Sequence, residues 1–314
     1  MLYTEKKRKN GEKMNTFITQ IIQQKTGNIV TSIQPVGKGA SGSVYQVCCN
    51  GTPKKIAVKI SDFTDLLQDE YNMLCFLKEQ TNGKFPTPYF FWTNHTTAIL
   101  AMEFIEGISG KDITFTSEEE KEHLAHSIVD NLIQIQKTHH DKFGPYQNAT
   151  YETWNAYYKE FADNIYQFCI EQFEQQTLDE EVMEAVRISY KKFDEIFCEH
   201  ITTPTLIHGD YWMPNFIIDS NTMELKSVVD PFNIMWADPE YELFAMTVGI
   251  GAELHLYEIY KSKLPTSKFC DVKLEVYALY SELLWYKRLG EISHEYLRYR
   301  SNSLMKAMKQ YGCI

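Results

Sequence analysis

Between residues 205 and 230 the chain sets a short polar cluster inside apolar runs. The segment LIHGDYWMPNFIID carries His208, Gly209 and Asp210, with Asn215 five residues further on. Asp230 follows fifteen residues after Asn215, at the end of the run SVVD. Short apolar runs bounded by Gly, Pro, Asn and Asp read as strands. A strand-turn-strand unit brings both of its ends to one side, so the spacing predicts that Asp210, Asn215 and Asp230 converge. His208 is expected to hydrogen-bond the loop backbone rather than to act as acid or base.

Upstream, the segment VGKGASGSVY spaces Gly37, Gly39 and Gly42 as G-x-G-x-x-G, with Val44 two residues beyond. In a dinucleotide-binding unit these glycines open a helix. Here a β-branched and aromatic run follows, then the turn pair Asn50-Gly51, then KKIAVKI. A glycine loop between antiparallel strands is therefore expected, of the kind whose bare backbone approaches phosphate oxygens. Lys59 lies 22 residues after Gly37, in Ala57-Val58-Lys59. The next predicted helix has an apolar face of Leu66, Leu67, Met73, Leu74 and Leu77, and Glu70 falls on that face. A carboxylate there is costly unless a cation meets it, and Lys59 is the natural partner.

In chain order these residues form the set that phosphoryl transfer from a nucleotide requires. Gly37, Gly39, Gly42, Val44 and Lys59, with Glu70, would hold ATP. Asp210 would take or orient the proton of an acceptor hydroxyl. Asn215 and Asp230 would offer oxygen ligands to Mg²⁺. The apolar run 98–107 ends in Glu103-Phe104-Ile105. Backbone groups of Glu103 and Ile105 are expected at an adenine edge, with Ala57 and Met102 lining its face.

The rest of the pattern gives an α+β chain. Helices are predicted at 15–27, 63–80, 117–138, 151–175, 179–198, 238–262 and 270–287, and strands at 88–92 and 98–104. This divides the chain into a leader at 1–14, expected to be disordered, a first lobe at 15–105 and a second at 106–314. The first lobe is an antiparallel sheet with one helix, and the second is mainly helical. Asp238-Pro239 reads as a helix start, with Asp capping and Pro in the first turn. The aromatic stretch 143–161 fits either a core or the wall of a sugar or amine pocket.

Net charge is −11. Lys6, Lys7, Arg8, Lys9 and Lys13 against Glu5 and Glu12 give the first 13 residues +3, which leaves −14 for the remainder. That balance excludes a general nucleic-acid binder, which needs a basic footprint, and would favour a cationic acceptor over an anionic one. No apolar run is long enough to span a bilayer, and the basic start lacks the apolar core of a secretory signal. The seven cysteines show no C-x-x-C spacing and read as reduced thiols. A cytoplasmic protein without a membrane partner is expected.

With these residues in hand, the chain resembles the aminoglycoside phosphotransferase superfamily, small-molecule kinases of protein-kinase-like, two-lobed fold. The resemblance runs from about residue 30 to the C-terminus and rests on H-G-D-x-x-x-x-N at 208–215. Parts look like the fructosamine kinase branch. Its H-G-D-L-W is matched by His208-Gly209-Asp210-Tyr211-Trp212, with Tyr in place of Leu. Its D-P-A is matched by Asp230-Pro231-Phe232, and its D-x-E-x-E-L by Asp238-Pro239-Glu240-Tyr241-Glu242-Leu243. The glycine loop departs from that branch and looks nearer the antibiotic and protein kinases. No A-P-E element follows Asp230, and only eight residues separate it from Asp238. That favours a small acceptor over a protein platform. The resemblance implies a sugar or amino-sugar-like acceptor, with Trp212 and Glu242 as acceptor-site candidates, although a structural role is the favoured reading of Asp238 and Glu242. The alternative is a non-catalytic, kinase-like nucleotide-binding protein.

Overall fold

The computed structural model describes residues 2–39, 42–290 and 293–314; for 2–11 and Leu289 the backbone alone is described. The chain folds as two units, one running to Ile108 and including Phe216–Asp230, the other holding Ser109–Asn215 and Pro231–Ile314. The sequence reading places the whole of 106–314 in the second lobe. The segment 216–230 instead packs with the first.

Alternation with a period of two organises the first unit. Its elements are α1 (Leu2–Thr26), β1 (Val30–Gly39), β2 (Gly42–Cys49), β3 (Lys55–Ser61), α2 (Thr64–Gln80), β4 (Pro88–Thr93) and β5 (Ala98–Glu103). The strands form one antiparallel sheet in the order β1-β2-β3-β5-β4. Ile56, Val58 and Ile60 of β3 pack with Ile18, Ile21 and Ile22 of α1. Successive strand side chains point to opposite faces, so Ala57 packs the other way, with Leu100, Met102 and, from α2, Leu67 and Leu74. Lys59 shares the parity of Ala57 and so points to the α2 side.

Two helices thus cover this sheet where the sequence reading counts one. Helix α1 begins at Leu2 rather than at residue 15. The segment expected to be disordered is rich in Lys, Glu and Arg, which all favour helix, and carries no proline. In α2, Leu67, Met73, Leu74 and Leu77 are buried, while Leu66, assigned to the same stripe, is 48% exposed.

The hairpin of Phe216–Ile218 and Leu225–Val228 pairs Phe216 with Val228. Lys84, just after α2, ties it to this unit: its backbone oxygen accepts from Val228 N at 2.7 Å, and its ammonium donates to Leu225 O at 2.7 Å.

The second unit is built from α3 (Glu118–Gln136), α4 (Trp154–Glu174), α5 (Glu180–Lys191), the short α6 (Phe193–Ile196), α7 (Gly249–Glu253), α8 (Leu256–Lys263), α9 (Cys270–Leu289) and α10 (His294–Gln310). The sequence reading extends one helix over 238–262. The structure breaks it into a 3₁₀ segment, Pro239–Thr247, then α7 and α8. Thr247 and Val248 are poor helix formers, Gly249 has φ +53, and His255 sits in the left-handed region before α8. Helix α10 was not foreseen, although Ser293 accepts the Tyr296 N–H as its cap and Leu297, Leu304 and Met308 are buried along one side. Among the described residues no helix is long and apolar enough to cross a membrane.

Aromatic side chains form the centre of this unit. Trp154 stacks on Tyr158 at 5.4 Å, and Tyr158 meets Tyr277 edge-on at 4.9 Å. Both Trp154 and Tyr158 are fully buried, so this part of the 143–161 stretch is core. The core carries a buried ion cluster. Lys273, 3% exposed, pairs with Asp238 and with Glu240. Tyr277 donates to Asp238 at 2.7 Å and Trp154 to Tyr277 at 2.8 Å. Asp238 also caps the 3₁₀ segment by accepting the Glu240 N–H at 3.0 Å, and Pro239 opens it, as the sequence predicts. Removing the cation strands two buried carboxylates. Lys273→Met is therefore expected to cost about 3–5 kcal/mol of unfolding free energy, read by denaturant titration. A loss below about 1 kcal/mol would show that the cluster adds nothing net to stability.

Candidate active site

In the first unit the glycine segment is a hairpin: Gly37 lies opposite Val44, and Gly39 opposite Gly42. The next ladder places Val44 opposite Lys59, and the one after it places Ala57 opposite Met102. Ala57 and Met102 are 8% and 5% exposed, an apolar pair at the centre of the sheet. The Glu103 N–H donates to Thr87 O at 2.8 Å, so that donor is committed inside the unit. The Glu103 carboxylate accepts from Thr87 as well.

Lys59 is 3% exposed and bridges two carboxylates: Glu70 Oε2 at 2.7 Å and Asp230 Oδ1 at 2.8 Å. The three residues are 11 and 171 positions apart in sequence. Burial lowers the pKa of the ammonium, but Glu70 and Asp230 outweigh it, and the pKa of Lys59 rises. Burial pushes the Glu70 carboxyl up, to about 8, against the pull of Lys59. Asp230 keeps 46% of its side chain exposed. Its φ is +54, a left-handed backbone that a non-glycine residue adopts at some cost and that often marks functional turns.

In the second unit the strand Thr205–Ile207 leads into the loop that carries Asp210. Gly209 has φ +82. A Cβ there would run into the carbonyl oxygens of Phe232 and Asn233, so no other residue fits. Tyr211 is fully buried; its hydroxyl donates to Ile128 O in α3 at 2.8 Å and accepts from Asn131 at 3.0 Å. Tyr211 thereby pins the loop to a helix, which leucine could not do. Asn215 donates through Nδ2 to the Asp210 carboxylate at 2.7 Å and to the Asp210 carbonyl at 3.0 Å. This holds the side chain of Asp210 and turns the amide oxygen of Asn215, the hard donor, the other way. His208 is buried, its Nδ1 accepting the Asp210 N–H at 3.3 Å. The indole of Trp212 is 42% exposed.

Glu242 lies under this loop, 2% exposed, and accepts the backbone N–H groups of His208 and Gly209. Burial pushes its carboxyl up, to about 7, against those two donors, and the charge of Asp210 adds to the rise. Its oxygens are engaged by the loop backbone and little of the side chain is exposed. Of the two roles the sequence left open, the geometry fits the structural one. The D-x-E-x-E-L spacing pointed to the residue. Its target, two backbone donors 33 and 34 residues upstream, has no sequence signature.

Lys59 and Glu70 are expected to couple in stability. Lys59→Met leaves Glu70 buried without its cation, at about 3–5 kcal/mol, whereas Glu70→Met leaves Lys59 paired with Asp230 and should cost less. The double replacement removes the stranded carboxylate as well, so it should cost less than the sum of the singles by about 0.5–3 kcal/mol. Strict additivity in denaturant titrations would break the proposed pair.

The fructosamine kinase family model matches residues 14–310. The chain is 25% identical over 181 residues to the ketosamine-3-kinase of Mus musculus, an alignment covering 54% of each. It spans 32–54% of the length of the curated ketoamine and ketosamine kinases it is similar to. Two solved structures share its fold. One is a Haemophilus somnus 129PT protein provisionally assigned as a fructosamine-3-kinase, with TM-score 0.67, 15% identity, and coverage of 94% of this chain and 96% of that one. The other is a thermostable mutant of an aminoglycoside phosphotransferase in complex with ADP and hygromycin B, with TM-score 0.71, 14% identity, and coverage of 92% and 98%. The protein-kinase-like α+β fold is thus established, and the chain belongs to the fructosamine kinase family.

Proposed function

We propose that this protein transfers the γ-phosphoryl group of ATP, with Mg²⁺, to a hydroxyl of a small sugar-derived acceptor, and that ketosamines are the acceptor class. The observation that carries the phosphotransfer reading is Lys59 held between Glu70 and Asp230. A buried lysine with a fixed ammonium suits the α- and β-phosphates, and a half-exposed carboxylate beside it suits a phosphate-borne cation. The family match and the names of the curated relatives support the ketosamine class. The ADP in one structural neighbour supports the nucleotide.

The residues fit a metal of the proposed kind. Among the described residues no group of three or more His, Cys, Asp and Glu side chains is gathered for a metal. Mg²⁺ that arrives with a nucleotide needs only one or two protein oxygens, because phosphates and water supply the rest. The Asn215 amide oxygen and the Asp230 carboxylate would provide them. When bound, the ion neutralises charge on the transferring phosphoryl group.

The chain's own residues do the remaining work. The Gly37–Gly42 hairpin would cover the phosphates with backbone, with Val44, Ala57 and Met102 as apolar surface for the base. Asp210 would accept the proton of the attacking hydroxyl, its carboxylate aimed by Asn215 and its backbone held by His208. Trp212, exposed two residues beyond, offers a flat face to a sugar ring.

A screen of Mg-ATP consumption by purified protein across ketosamines, aminoglycosides, choline-like alcohols and neutral sugars tests this reading. Turnover is expected with ketosamines and is expected to fall sharply in Trp212→Ala with ATP affinity unchanged. Activity confined to a protein or to a purely acidic metabolite would overturn it.

A further inference from the structure

A cationic aromatic cluster beside the Asp210 loop takes no part in the chemistry described so far. Phe232 stacks on Trp285 of α9, with centroids 4.6 Å apart and planes 19° from parallel. One turn further along α9, the Arg288 guanidinium lies over the other partner of the stack, 5.1 Å from the Phe232 centroid. Trp285 and Arg288 are three residues apart and therefore share a helix face. Phe232 is fixed to the catalytic loop itself. Its N–H donates to His208 O at 3.3 Å, and its carbonyl oxygen fills the space a Gly209 side chain would need. Phe232 and Trp285 are half-buried and Arg288 is exposed.

An arginine in the last turn of a helix complements its dipole, but that does not explain this placement. Lys287 beside it turns the other way, toward the Asn164 carbonyl and the Phe168 ring. Arg288 is held over an aromatic face, and among the described residues it forms no ion pair. A guanidinium drawn to a ring still carries N–H donors that the ring does not use. Paired donors of that kind match a carboxylate in bidentate geometry. A cation is thus kept over the Phe232 ring in a chain of net charge −11.

Resting on the ketosamine reading above, we propose that Arg288, held over the ring of Phe232, binds a carboxylate on the acceptor. The preferred substrates are then ketosamines of free amino acids rather than of neutral amines. Such an acceptor keeps the cationic group that net charge favours and sets an acid beside it.

The test is kcat/KM for two matched acceptors, the fructose-derived ketosamines of glycine and of glycinamide, which differ only in carboxylate against amide. Wild-type protein is expected to favour the glycine adduct by about tenfold or more, the range for a hydrogen-bonded charge. Arg288→Met should abolish that preference through KM for the glycine adduct, with the glycinamide adduct and the KM for ATP unchanged. Equal kcat/KM for the two acceptors in wild type overturns the inference alone. A loss in Arg288→Met that is shared by both acceptors overturns it too, and one that appears in the KM for ATP overturns it and assigns Arg288 to the nucleotide. Turnover of neither compound by wild type overturns the ketosamine reading itself, and the inference with it.

Discussion

A buried ammonium between two carboxylates is the interaction on which the first unit depends. Lys59 loses its hydration inside a sheet-helix interior, and that cost is severe for an unpaired charge. Glu70 offsets it from α2 and Asp230 from the end of the Phe216–Val228 hairpin. The pair therefore fixes more than charge. It sets the rotation of α2 about its axis, because Glu70 must face the sheet. It also explains why a segment from far down the chain packs with the first hundred residues. Asp230 retains an exposed oxygen surface and a strained backbone. Both are features of a residue held ready for something beyond its ion pair.

The second unit solves a different problem: holding a loop still when its own residues are small or polar. The loop is gripped from four sides. Glu242 takes the backbone donors of His208 and Gly209, Tyr211 reaches α3, Asn215 holds Asp210, and the Phe232 backbone closes over Gly209. Glu242 stands two residues from Glu240, which shares the Lys273 cation with Asp238. The 3₁₀ segment, with its Asp238 cap, is thus anchored in the aromatic core. Rigidity reaches the loop through a short run of backbone instead of through side-chain packing alone. This arrangement suits a base that must be preorganised before its substrate arrives.

Much of this was legible in the sequence, for a physical reason. Strand parity and helix periodicity decide which side chains can meet, so Lys59 and Glu70 could be paired before any coordinates. The glycine hairpin, the Asp238 cap and the Phe216–Val228 hairpin were likewise local features with local signals. What escaped depends on distant backbone. Nothing in the residues around Glu242 names the two N–H groups it accepts, and nothing near Lys273 names its two acids. The break of the 238–262 helix was readable in Thr247, Val248 and Gly249, yet the apolar pattern continues across it and hid it.

The central claim is that Asp210 acts on the acceptor while the Lys59 cluster serves the nucleotide. Asp210→Asn, which preserves shape and hydrogen bonding to Asn215, separates the two most directly. Mg-ATP binding by calorimetry and turnover of the acceptor should be measured on the same preparation. The account predicts wild-type ATP affinity with turnover reduced by about 10²–10⁴-fold, the contribution of a positioned base. Undiminished turnover, or a loss of turnover matched by an equal loss of ATP binding, would contradict it.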